Sequence, residues 1–414
     1  MNRRVVITGL GLVSPLGIGV EQSWQALCQG KSGVARITLF DPSPLRTQIG
    51  GEVKNFDPEN FIEKKMARRM DRFVQFAMVA SNMAAEDARL KPDQFPAERV
   101  GVMIGTGLAG ITTYEKNHEL ALKGAFDQIS PFFVLGFISN MAATQVAIRL
   151  HAKGPCGCPV TACAAGVHAI GDSYRFIQRG EADIMVAGAS EAPFTLLFCA
   201  GMEALRVTTL SNQEPEKAIK PFDKNRNGFA NAEGAGILIL EELETALRRG
   251  AKIYAEVIGY GINHDAYHLS SPSPNGEGAA FCIRMALNEA GISPSEIDYI
   301  NAHGTATVLN DISETAAIRN VFGEHSSKVA ISSNKSMIGH CLGAAGAVES
   351  VFTVLSIRDG VLPPTINYET PDPKCDLDYV PNHARKTRVH TTLCNSFGFG
   401  GHNGVLIFRE FTQP

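Results

Sequence analysis

Residues 84–107 (AAEDARLKPDQFPAERVGVMIGTG) and 286–307 (ALNEAGISPSEIDYINAHGTAT) carry one pattern twice. Each runs from the end of a helix through a polar loop with a proline into an apolar strand, and each closes on a Gly-Thr pair, Gly105-Thr106 and Gly304-Thr305. Ala88 aligns with Ala290, an offset of 202 residues. A second echo sets Cys163-x-x-Gly166, opening a helix that ends in Ile177-Gln178-Arg179-Gly180, against His340-x-x-Gly343, opening one that ends in Ile357-Arg358-Asp359-Gly360. In this alignment the second helix is three residues longer. Thr8-Gly9-Leu10-Gly11 is answered by Ile258-Gly259-Tyr260-Gly261. A duplication on this scale predicts two similar α/β halves in tandem.

The seam between the halves is expected near Arg248-Arg249-Gly250, where a charged helix gives way to the strand AKIYAEVIGY, dividing the chain into 1–250 and 251–414. No long linker separates them, so the halves should dock closely. The stretch 341–357 has Glu349 as its only carboxylate among apolar and small residues on every face, which predicts a helix buried all round with sheet above and sheet below. By the echo, Cys163 and His340 begin equivalent helices of that inner layer and converge on one site. The chain is long enough for two packed units, and 44% hydrophobic residues fill both. A net charge of -4 with 19% charged residues excludes a disordered chain or one built to coat nucleic acid. Nine cysteines without paired spacing point to a reducing cytoplasm. The most lipid-like stretch, 341–357, is too short to cross a bilayer, so no membrane span is expected.

The stretch CPVTACAAGVHAIGD (158–172) puts Cys163 where an extended run becomes helical. A helix N-terminus offers unpaired N–H groups and the positive end of the macrodipole, an arrangement expected to lower a thiol pKa. Ala162, Ala164, Ala165 and Gly166 leave room beside the sulfur, and nearby N–H groups can hold an oxyanion. Acyl transfer through a thioester is the chemistry this favours; a buried cysteine in a tight junction is the structural alternative. His303 follows the apolar strand IDYI at its carboxyl end, and His340 stands at the second helix start with Lys335 five residues before it. At such a position, beside a lysine, imidazole is expected to stay neutral and donate an N–H to a carbonyl oxygen, as formation of an enolate requires. In NSFGFGGHNGVLIF (395–408), Gly398, Gly400 and Gly401 form a pliable turn around Phe399, readable as a strand connection or as a lid.

Four motifs then converge: TACAAG around Cys163, NAHGTAT around His303, NKSMIGH around Lys335 and His340, and NSFGFGGHN around Phe399. Together with PFDKNRNGF (221–229) and LPPTINYE (362–369), they resemble the β-ketoacyl-acyl carrier protein synthases of the KAS II type. The resemblance implies a thiolase fold, a five-layered αβαβα sandwich of two pseudo-symmetric halves, usually dimeric. It implies Cys163 as acyl acceptor, His303 and His340 as the pair that drives decarboxylation of a malonyl-carrier extender, and Lys335 as tuner of His340. It further implies Thr305 and Thr307 as contacts for the phosphopantetheine arm, an oxyanion hole from the N–H groups of Cys163 and Phe399, and Phe399 as gate. Acyl carrier protein is the implied partner, with no metal and no dissociable cofactor. HGTATVLND and Asn334 before Lys335 depart from the common fatty-acid pattern, and Asn227 and Ala232 look more like the ketosynthases of type II polyketide systems. Such subunits pair with themselves or with a chain-length factor, a sister that lacks the active cysteine.

The basic stretch EKKMARRMDRF (63–73) places Lys65, Arg68, Arg69 and Arg72 at helical spacing, a face that either docks an acidic carrier or is simply solvated. Other classes remain: a binding protein or chain-length-factor-like subunit without chemistry; a dehydrogenase, from ITGLGLVSPLG, whose third glycine is misplaced; and a Cys156/Cys158 metal site, which lacks a second ligand pair.

Overall fold

The computed structural model describes residues 3–91 and 94–413; Pro92 and Asp93, within the loop of the first echo, lie outside the described residues. The main sheet is built from β1 (Val5–Ser14), β2 (Val100–Gly105), β3 (Cys156–Gly157), β4 (Ile184–Glu191), β5 (Gly234–Glu242), β6 (Ala255–His264), β7 (Tyr299–Asn301), β8 (Ala330–Ser332), β9 (Thr391–Gly398) and β10 (His402–Arg409). Its order is β8-β7-β9-β10-β6-β1-β5-β4-β2-β3. Read outward from the centre, the two sides repeat. β1 pairs antiparallel with β5 as β6 does with β10, β5 with β4 as β10 with β9, and the next two pairings on each side are parallel. Where separate sheets are expected above and below the inner helices, the two sides form one continuous sheet. It is joined by antiparallel pairing of Val5–Ile7 with Ala255–Val257.

Four helices complete the layers: α1 (Arg72–Asp87), α2 (Ala165–Gln178), α3 (Glu277–Ala290) and α4 (Ala345–Asp359). Asp71 starts α1 by accepting from the Phe73 N–H, and Phe73, Phe76, Ala77, Ala80 and Ala84 face the sheet. α1 covers β1 and β5, α3 covers β6 and β10, and α2 and α4 touch strands of both sides. The order is therefore helix, sheet, helix, sheet, helix. Every residue of α4 from Ala345 to Ile357 is buried. This is the enclosed helix that its lack of a polar face predicts.

The echoed glycines have a packing cause. A Cβ on Gly9 would lie 2.2 Å from the Ala84 carbonyl oxygen, and one on Gly259 would lie 2.4 Å from that of Ala286. On Gly11 and Gly261 the distances are 1.9 Å to Ala80 O and 2.1 Å to Cys282 O. Each outer helix thus rests directly on the backbone of its central strand, which only a residue without a side chain allows. Register slips at the same place in both strands, between Ile7 and Gly9 in β1 and opposite Ile258 in β6. These bulges move the apolar set from Val5 and Ile7 to Leu10 and Leu12 without changing the face it fills.

The second echo needs a correction. A 3₁₀ turn, Ala162–Ala164, precedes α2, and a matching turn, Leu342–Ala344, precedes α4; Ala162 and Leu342 have φ of 48° and 47°. The helices then run 14 and 15 residues. The residue in Cys163's place in the second half is accordingly Gly343, and His340 lies three residues earlier. Matching the Cys and His motifs by their trailing glycines slipped the register by nearly one helical turn.

If direct helix-on-strand contact explains these glycines, Gly11→Ala lowers stability by about 1–3 kcal/mol through overpacking. Gly201→Ala, in the exposed helix Leu196–Ala204 with nothing within 4 Å of the added carbon, raises it slightly. Thermal melts of the two variants check the contrast.

Candidate active site

Cys163 is the middle residue of its 3₁₀ turn, held from behind by Ser396, whose hydroxyl donates to the Cys163 carbonyl at 2.8 Å. His340 reaches it from the second half. Its main chain is pinned as an isolated bridge, with N–H to Ala230 O and C=O from the Ala232 N–H, each 2.9 Å. Its Nε2 lies 3.1 Å from Cys163 Sγ. His303 follows β7, its backbone N–H donating to Glu314 Oε1 at 2.8 Å and that of Gly304 to Glu314 Oε2 at 2.8 Å. The two imidazoles stand 5.5 Å apart, nearly perpendicular, with Phe229 edge-on to His340 and Phe397 to His303.

All three side chains line one cavity of about 380 Å³, together with Thr305, Thr307 and Phe399. The two threonine hydroxyls are 2.9 Å apart. Gly400 and Gly401 take φ of 84° and 85°, the turn geometry that lets Phe399 sit at this wall. Lys335 is wholly buried; its ammonium donates to Glu349 Oε1 of α4 at 2.6 Å. Lys65, Arg68 and Arg69 are exposed and do not line the cavity. They also fail to form one helical face. The helix there spans only Lys64–Ala67, and α1 restarts at Arg72, which turns inward to hold Glu233 through two bonds of 2.6 and 2.8 Å. Arg69 stacks on Phe132 at 4.5 Å, and Arg68 lies 3.8 Å from Glu59.

The electrostatics depart from expectation at the sulfur. Burial pushes the Cys163 thiol up to about 12; Lys335 and the Phe399 N–H pull it down without overcoming the loss of water, and Glu191 and Glu349 add to the rise. The lowering expected from a helix start is outweighed by the removal of the thiol from water. Burial, then Lys335, holds both histidines well below the usual imidazole range, so both are neutral. Among the described residues neither Nδ1 has a hydrogen-bond partner, which leaves each tautomer to be chosen by what Nε2 meets.

Residues 2–246 match the Beta-ketoacyl synthase N-terminal domain and 254–369 the Beta-ketoacyl synthase C-terminal domain. The chain belongs to the β-ketoacyl synthase family. Relatives of this β-ketoacyl synthase include 3-oxoacyl-[acyl-carrier-protein] synthase 2 of Synechocystis sp., 49% identical over 410 residues, and that of Coxiella burnetii, 51% over 409; 99% of each chain is covered in both cases. A type II PKS acyl-carrier protein in complex with its ketosynthase bound to the hexaketide superposes with a TM-score of 0.92 at 41% identity. The ishigamide ketosynthase/chain length factor gives 0.93 at 37%; both cover 100% of either chain. The fold is the thiolase fold of the ketosynthases, and the enzyme is an acyltransferase of the condensing type.

Three supporting residues escaped the sequence reading. Glu314 fixes His303 by its backbone, Phe229 walls His340, and Glu349 answers Lys335. Glu349 left a signal: the lone carboxylate of a helix buried on all faces needs a cation beside it. Among the polyketide-like substitutions, Asn227 lines the cavity, whereas Ala232 packs behind His340 between Gly51 and Gly339.

A thiol raised this far holds little thiolate in the resting β-ketoacyl synthase, and that fraction grows about tenfold per pH unit until its pKa is passed. Iodoacetamide labelling of Cys163 should therefore accelerate from pH 6 to pH 10 without levelling off. A plateau below pH 8 would mean a thiolate stabilised as the helix-start argument first expects.

Proposed function

We propose that this chain is a β-ketoacyl-acyl carrier protein synthase whose halves, 1–250 and 251–414, bring Cys163 and the His303/His340 pair to one thioester. The observation that carries this is the 3.1 Å contact between Cys163 Sγ and His340 Nε2, with His303 beside it on the same cavity. In the first step the thiol passes its proton to His340 Nε2 as sulfur attacks the carbonyl of an acyl-carrier thioester. The N–H groups of Cys163 and Phe399 hold the oxyanion. As the carbonyl re-forms, the carrier sulfur leaves and takes from His340 Nε2 the proton that the thiol gave up, so His340 ends neutral. Its tautomer with the N–H on Nε2 serves the next step.

Malonyl-carrier then enters along Thr305 and Thr307, which contact its phosphopantetheine arm. The carboxylate carbon–carbon bond breaks and releases carbon dioxide, and its electron pair forms an enolate whose oxygen is held by His303 and His340. Neutral imidazoles suit this task, because their N–H donates a hydrogen bond but is too weakly acidic to protonate the enolate. The enolate carbon attacks the acyl-cysteine, the new carbon–carbon bond forms, and Cys163 departs as thiolate to be reprotonated. Burial, and then Lys335 tied to Glu349, keeps the resting imidazoles neutral. Phe399 gates the sulfur. No cofactor beyond the substrate's own carrier arm takes part.

The substrate is a fatty acyl or poly-β-keto chain. The partner is an acyl carrier protein, and the enzyme works in the cytoplasm as a dimer with itself or with a chain-length-factor-like subunit. With the Cys-His-His set complete, this chain is the working subunit rather than the sister. Carrier docking uses Lys65, Arg68 and Arg69, exposed cations facing an acidic surface.

Incubation with an acyl-carrier donor should add the mass of the acyl group to the enzyme, and Cys163→Ala should abolish both the adduct and condensation. A Cys163→Ala enzyme that still condenses sinks the assignment. Reversing Arg68 and Arg69 to glutamate should raise KM for the carrier about tenfold at low salt and less at high salt; kinetics unchanged at low salt remove the docking role.

A further inference from the structure

The duplication can be followed into the site itself. Ile7 in β1 pairs with Leu240 as Val257 in β6 does with Phe408, and Leu240 pairs with Met185 as Phe408 does with Thr392. Six residues beyond Met185 and Thr392 stand Glu191 in β4 and Gly398 in β9. They are counterparts, as Gly343 is the counterpart of Cys163.

At the working site, Gly398 presents no side chain to the turn that carries Cys163, where an added Cβ would lie 3.1 Å from the Cys163 N. At its mirror image that space is filled: the Glu191 side chain accepts from the Gly343 N–H, at 3.0 Å. The same carboxylate takes the Gly107 N–H at 2.6 Å, the Thr106 hydroxyl at 2.8 Å and the Leu108 N–H at 3.2 Å. Glu191 is fully buried, and among the described residues no lysine or arginine pairs with it. A charge so placed is held only by these neutral donors. Space is reserved for it as well. A Cβ on Gly343 would lie 2.7 Å from Glu191 Oε2, and one on Gly107 would lie 2.8 Å from it.

The segments so clamped are Gly107–Leu108 from the first half and Leu342–Gly343 from the second. Leu108 and Leu342 pack with Met202, Phe229 and Phe399 in one apolar cluster, and Phe229 and Phe399 also line the cavity that holds Cys163. An alkyl chain on Cys163 has to lodge among such side chains. We propose that Glu191 is a positioning residue for the acyl chain: its carboxylate occupies the degenerate copy of the oxyanion site and sets the gap between Leu108 and Leu342 into which the chain inserts. This rests on the ketosynthase reading.

The test is run on the full-length enzyme. Mass spectrometry follows acylation of Cys163 by long-chain and short-chain acyl-carrier donors, and carbon dioxide release from malonyl-carrier is followed in parallel. Glu191→Gln, which sets a donor against two N–H groups, should lower the ratio of long-chain acylation to decarboxylation about tenfold. Short-chain acylation should change less. Thr106→Val removes one donor to Glu191, and with it the acceptor of the Ala109 N–H, at nearly constant volume; it should shift the ratio the same way, about threefold, so it decides the matter if Glu191→Gln does not fold. A ratio within twofold of wild type overturns the inference, as do rates that fall together with the melting temperature. Wild-type enzyme that neither acylates nor decarboxylates overturns the ketosynthase reading itself, and this inference with it.

Discussion

Lys335 and Glu349 are both wholly removed from water and meet at 2.6 Å. Neither charge is tolerable in that interior alone, because desolvating one unpaired ion costs several kcal/mol and losing either partner strands the other. The pair therefore obliges the short turn that carries Lys335 to sit against α4, and α4 is the helix that both sides of the sheet enclose. His340 follows Lys335 by five residues, so locking the lysine also places the imidazole. The ammonium charge reaches Cys163, His303 and His340 alike, lowering the proton affinity of all three. One ion pair thus links the inner layer of the fold to the chemistry at its rim.

Burial acts on the two kinds of catalytic group in opposite senses and serves each. It keeps the histidines neutral, as donors to an enolate must be, and it keeps the cysteine protonated until a thioester arrives. In the proposed mechanism the thiolate is made on demand, through a neighbouring imidazole rather than by a standing helix-dipole effect. The duplication supplies the matching geometry. Cys163 comes from one repeat of the fold and both imidazoles from the other, so the cluster forms only where the two meet. At the mirror position, Gly343 and Glu191 fill with a carboxylate and a close backbone contact what Cys163 and Gly398 leave open.

Much of this was legible in the chain. The repeated Gly-x-Gly strands, the paired Gly-Thr loops and the helix with one carboxylate imply tandem α/β halves around a buried layer, because apolar pattern and glycine placement are local consequences of who packs on whom. Cys163, His303, His340, Lys335 and Phe399 were likewise readable, each lying in a motif at a strand or helix end. The slip of three residues between the Cys and His motifs arose because a trailing glycine marks close helix contact in one copy and a crowded turn in the other. The basic stretch misled for a related reason: spacing alone does not register that Asp71 caps a new helix and turns Arg72 inward to Glu233.

Residue order by itself pointed to a repeated α/β pattern, to a helix enclosed on all faces and to the motifs whose side chains line one cavity, since periodicity and residue chemistry travel with the chain. Only the tertiary structure decided the thiol's high proton affinity, the single continuous sheet, and the roles of Glu314, Glu191 and Phe229 beside the site. Proton affinities and partnerships of that kind depend on distances between segments far apart in sequence and on the water those segments exclude, neither of which is written at any one position.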